Sequence, residues 1–143
     1  MVWLFRFALV TALAMLLYLS VTANTAAADA LRPDALDPLS APLGEAAPLY
    51  IAPDKVTHFF AYFTLGVLTP AARIPGLGGF APALIALSAI GYGLEYAQEF
   101  GTARDLNHGD QLANVLGAAV GLLVGVVLNG LLTAIDGLAR GAR

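Results

Sequence analysis

The chain contains no cysteine, so neither a disulfide framework nor a thiolate-based site can be built from it. Charge is scarce too. Only 12% of the 143 residues are Asp, Glu, Lys or Arg, against 59% hydrophobic residues, and the formal net charge is −3. A water-soluble domain of this size needs a charged coat over its core, and this composition does not supply one. No basic run offers the electrostatic footprint of a nucleic-acid partner. A P-loop, a nucleophile elbow and an HExxH helix are also missing, so the chemistry each supports lacks its residues here.

What is present is apolar sequence in four blocks separated by polar or Pro/Gly-rich breaks. Each block approaches the ~20 residues that cross the hydrocarbon layer as a helix. The expected fold is therefore all-α: a polytopic membrane protein, a four-transmembrane-helix bundle with a Pro-rich first external loop. Residues 1–23 form the first transmembrane, or anchor, helix. Arg6 ahead of an apolar run, with an Ala-x-Ala site near Ala26, also fits a cleaved secretory signal, but the length of the run favours a retained anchor. Trp3 and Tyr18 near its ends suit interface anchors. Residues 24–53 hold five of the eight prolines and four acids without helical periodicity, which makes them an irregular external loop.

Residues 54–134 form a three-helix unit, with spans near 54–69, 80–100 and 110–134 joined by "AARIPGLGG" and "TARDLNHGD". Pro70 is expected to stop the second span, and residues 135–143 to form a basic cytoplasmic tail. Four spans put Arg6, Arg73, Arg140 and Arg143 on one side, against Arg32, Lys55 and Arg104 on the other. That excess places both termini in the cytoplasm of a plasma (inner) membrane protein.

The ionisable groups near the membrane mouth are the chemically informative ones. In "DKVTHFFAYFTLG", Asp54, Lys55, His58 and Tyr62 fall within an arc of roughly 100° on a helix. Glu95 and Gln98 are one turn apart on the third span, and Asp110 and Asn114 one turn apart on the fourth. His58, Glu95 and Asn114 lie roughly 6 to 8 Å inside their helix ends, in one layer. Helices turn such groups away from lipid and toward each other. Gly117, Gly121 and Gly125, four residues apart, form a flat groove for close helix packing, and the same groove suits a homodimer.

Taken together, Asp54-Lys55-His58-Phe59-Tyr62-Phe63-Leu65-Gly66, Glu95-Gln98, Arg104, Asp110-Ala113-Asn114 and the paired Gly117 and Gly121 resemble the VanZ-like family of bacterial membrane proteins. The likeness covers residues 54 to about 125, with "LYLSVTAN" similar in style to the family's first span. The third loop departs from the family's Pro-Gly-Arg turn, having "TARDLNHGD" with the extra Asp105 and His108. The resemblance implies a place at the bacterial cell surface, since the namesake is associated with tolerance of the glycopeptide teicoplanin. It does not by itself assign chemistry.

Two functional readings stand beside a purely architectural one. In the first, an enzyme acts on a lipid-linked or cell-envelope amphiphile at the outer leaflet. His58 and Glu95 are its candidate catalytic residues, histidine titrating nearest neutral pH. Asp54, Lys55, Tyr62, Gln98, Arg104, Asp110 and Asn114 are the candidate substrate-binding residues, with Lys55 and Arg104 suited to a phosphate or carboxylate. In the second, the same groups bind lipid head groups without turnover. In the architectural reading they only hold the helices together. No cofactor is expected. His58, Glu95 and Asp110 suit a hard cation, but one well-placed histidine makes metal binding the weakest reading. The partners expected are membrane lipids and a lipid-linked cell-wall precursor, with no nucleic acid.

Overall fold

A computed structural model of the chain describes residues 2–21, 53–101 and 108–141. They form four helices: α1 (Val2–Val21), α2 (Pro53–Ala72), α3 (Phe80–Gly101) and α4 (His108–Gly141). Among the described residues no strand occurs, and the fold is all-helical. The Pro-rich loop expected at 24–53 lies, apart from Pro53, outside the described residues.

α1 is apolar on every face, with Arg6 its sole charge. A helix without a polar face has no side suited to water. By length and composition two helices can cross a membrane: α3 over Phe80–Ala97, mean hydropathy 1.3, and α4, mean hydropathy 2.3. Only 22% and 28% of those stretches are buried inside the protein, whereas the core helix of a soluble domain is mostly buried. α1 adds a shorter apolar stretch, Val2–Tyr18. α2 carries Asp54, Lys55, Thr57 and His58 in its first two turns, which lowers its apolar content.

Helix boundaries correct the expected ones in three places. α2 runs through Pro70 to Ala72. Proline this close to a helix end removes a single N–H, and Thr69 Oγ1 donates to Leu65 O at 2.7 Å beside it. α4 starts at His108, so that residue begins the helix instead of lying in a turn. It ends at Gly141, so residues 135–141, expected beyond the fourth span, continue the helix. No proline and no polar run interrupts that segment.

The α2–α3 connection follows from its residues. Arg73 leaves α2 with φ 48°, the left-handed value common just past a helix end. Pro75 and Gly76 then occupy the centre of a turn closed by Leu77 N–H donating to Ile74 O at 3.1 Å. Gly76 has φ 82°, as a type II turn requires at that position. The Arg6 guanidinium donates to Ala72 O (2.9 Å) and Arg73 O (3.0 Å), satisfying carbonyls at the end of α2.

α2 and α4 form the central pair. Lys55 meets Asp110, and Phe59, Phe63 and Val67 lie over Gly117, Gly121 and Gly125 in turn, so the two helices run parallel. A Cβ at Gly117 or Gly121 would collide with the carbonyl of Phe59 or Phe63, and one at Gly125 would come within 2.6 Å of Val67 O. From the other side, a Cβ at Gly66 would lie 2.6 Å from Ala118 O. Backbone therefore packs on backbone along three turns. Such contact holds helices together where lipid removes the hydrophobic drive. The glycine face is filled by α2 of the same chain, so a second copy would have to use another surface. α1 packs on α2, and α3 packs chiefly on α4. The buried apolar core comprises Leu9, Tyr62, Leu65, Ala72, Ala83, Leu87, Ala118 and Leu122.

Candidate functional site

Three helices deliver polar side chains to one end of this bundle. α2 supplies Lys55, His58 and Tyr62 at spacings of three and four, which keep them on one helical face. α3 runs antiparallel to α2, so His58 is level with Glu95, and Tyr62 with Gly91, one turn deeper. α4 supplies Asp110, Gln111 and Asn114 from its first two turns.

The geometry is close. His58 Nδ1 lies 3.0 Å from Asn114 Oδ1 and 3.9 Å from Glu95 Oε1. An amide oxygen can only accept, so this contact is made with Nδ1 protonated and donating to Asn114 Oδ1, and Nε2 is left for an outside partner. Lys55 Nζ donates to Asp110 Oδ1 at 2.7 Å in an ion pair. Asp110 also sits in the first turn of α4, where the helix dipole favours a negative charge. Asn114 is 1% exposed and Glu95 5%, while the His58 side chain is 17% exposed. The imidazole is therefore reachable from outside, and its partners are shielded behind it. That is a workable arrangement for a proton-transferring group, with a carboxylate and an amide fixing the ring.

Glycine makes room at the base. An added Cβ at Gly91 would lie 3.1 Å from Tyr62 Oη and 3.2 Å from Asn114 Nδ2, so these groups converge on the bare backbone of α3. Gln111 Nε2 donates to Gly91 O at 3.1 Å. Tyr62 Oη and Gln111 Oε1 are buried with no hydrogen-bond partner among the described residues. A buried polar atom left in this state calls for an explanation.

Of the residues expected at the site, His58, Glu95, Lys55, Tyr62, Asp110 and Asn114 are brought together. Asp54 and Gln98 belong to α2 and α3, but their side chains lie outside the described residues, as does Arg104 altogether. Gln111 was not anticipated. It is 7% exposed and bonds to α3. Its signal was available, because it stands three residues before Asn114 and so shares its face. A separate groove of about 550 Å³ opens at the opposite end of the bundle, lined by Phe5, Arg73, Asn129, Thr133, Asp136 and Arg140 among others. It is distant from the His58 cluster, which is defined by converging side chains and not by a large void.

These observations define an all-helical protein with two helices able to span a membrane and a three-helix polar cluster at one end. No family model, no curated protein and no solved structure matches the chain.

Proposed function

We propose that the chain is a polytopic integral membrane protein of VanZ-like type at the bacterial cell surface, with four spans and both termini in the cytoplasm. Its His58 cluster binds or modifies a lipid-linked or cell-envelope amphiphile at the outer leaflet. The observation that carries this reading is the meeting of three helices in one cluster: His58 bonds Asn114, Lys55 pairs with Asp110, and a nitrogen of His58 and carboxylate oxygens of Glu95 and Asp110 lie within 4.8 Å of one another. Purely structural polar contacts between membrane helices contribute only about 0.6 kcal/mol each on average. Concentrating ionisable groups in one layer for that return is a poor use of side chains that are costly near lipid. The VanZ-like resemblance of residues 54 to about 125 supports the same assignment.

In the proposed chemistry His58 Nε2 is the acid/base atom, oriented through Nδ1 by Asn114 with Glu95 beside it. Lys55, held by the buried Asp110, lines the approach with Tyr62 at the base, and the Lys55 ammonium is positioned to meet a phosphate or carboxylate. The alternative is a head-group binder without turnover. Substitution separates the two with a lipid-pyrophosphate-linked saccharide as probe. An enzyme loses turnover and keeps binding in His58→Gln, and loses binding in Lys55→Ala or Arg104→Ala. A binder tolerates His58→Gln and fails with the cationic variants. Full retention of turnover in His58→Gln ends the acid/base role.

A further inference from the structure

We propose that His58, Glu95 and Asp110 bind one divalent cation of the Mn²⁺/Zn²⁺ class. A ring nitrogen of His58 and one carboxylate oxygen from each acid lie within 4.8 Å of one another, each donor coming from a different helix. Zinc-type bonds to nitrogen and oxygen are ~2.0–2.2 Å, so displacements of the donor atoms by about 1 Å or less close the three around one ion. One nitrogen and two carboxylates form the mixed donor set that intermediate divalent metals accept, and three protein ligands leave further positions open.

Independent features of the site point to the same ligand. Tyr62 Oη and Gln111 Oε1 are buried, and neither has a partner among the described residues. Tyr62 is 1% exposed and Gln111 7%, and both converge on Gly91, one turn from Glu95. Each is an oxygen able to complete the coordination sphere directly or through water. The second shell is present as well. A ligating imidazole commonly gives its other N–H to a carbonyl or carboxylate, and Asn114 Oδ1 is that acceptor for His58 Nδ1–H. Lys55 holds Oδ1 of Asp110, so the carboxylate would be shared between an ammonium and the ion. A cation here would add positive charge beside Lys55, which suits an anionic head group. With an ion on Nε2, His58 serves as a ligand and not as the acid/base group; ion uptake is measured with no lipid-linked compound present, so this inference and the proposed function fail separately.

The test uses the full chain purified in detergent, stripped with chelator and titrated with Mn²⁺ under electron paramagnetic resonance, then with Zn²⁺ by metal analysis. One ion per chain is expected, with nitrogen coupling to bound Mn²⁺ from His58 that disappears in His58→Gln. Glu95→Gln and Asp110→Asn should each weaken binding by about tenfold or more, with helix content checked by circular dichroism. Failure of the wild-type chain to take up either metal overturns the proposal whatever the variants do. So does uptake that none of the three substitutions alters.

Discussion

The two halves of α4 carry similar apolar sequence and have opposite surroundings. From Asp110 to Gly125 the helix buries eight residues, among them Asp110, Gln111 and Asn114. From Val126 to Gly141 none is buried, and Val127, Leu131, Ile135 and Leu138 are openly exposed. The first half has glycine at every fourth position and receives the backbone of α2 against it. In the second half Gly130 and Gly137 have open space where a Cβ would project. Hydrophobicity therefore does not distinguish packed from unpacked membrane-type helix here. Small residues in register with a neighbouring backbone do.

The sharpest way to break this contrast is to fill the packed glycine face. Gly121→Leu should cost about 3 kcal/mol or more, because the Phe63 carbonyl belongs to a helix that cannot yield locally. Thermal unfolding in detergent would read it. Next comes Lys55→Ala, which leaves the Asp110 carboxylate buried without its cation. Removing one partner of a buried pair costs about 3–5 kcal/mol, reduced here to about 1–3 because the Lys55 side chain is 29% exposed. The double variant Lys55→Ala/Asp110→Ala should recover part of that loss, and a strictly additive pair would show that the contact is energetically empty.

Arg6→Ala should have a smaller effect, about 1 kcal/mol, since its two carbonyl bonds lie at the rim of the bundle where water can replace them. The smallest effect belongs to Gly130→Ala, which should be neutral or stabilise by up to about 1 kcal/mol through helix propensity alone. Equal effects at Gly121 and Gly130 for the same change to alanine would erase the distinction between the two halves.

Much of this architecture was legible in the chain's periodicity. Spacings of three and four put Lys55, His58 and Tyr62 on one face, and depth counted from the helix ends placed Glu95 and Asn114 level with His58. Pro75-Gly76 announced its turn. The continuation of α2 past Pro70 was less visible, because a proline in a last turn disturbs so little of the hydrogen-bond ladder. Gln111 was less visible than the amides of Gln98 and Asn114, because its role is set by the backbone carbonyl of Gly91 on another helix, which side-chain spacing does not encode. Arg6 was read as a topological charge, while its contacts with Ala72 and Arg73 depend on a pairing of α1 and α2 that periodicity does not encode.

Absence of cysteine makes the chain its own background for the decisive measurement. In native membranes, cross-linking of the pair His58→Cys/Asn114→Cys by a short bifunctional thiosulfonate, which spans the gap left when two long side chains are cut back to cysteine, should proceed rapidly within one chain, as should His58→Cys/Glu95→Cys. The exposed pair Ile85→Cys/Leu128→Cys serves as the slow control. Cross-linking of both inner pairs no faster than the control would mean that α2, α3 and α4 do not bring these side chains to a common point.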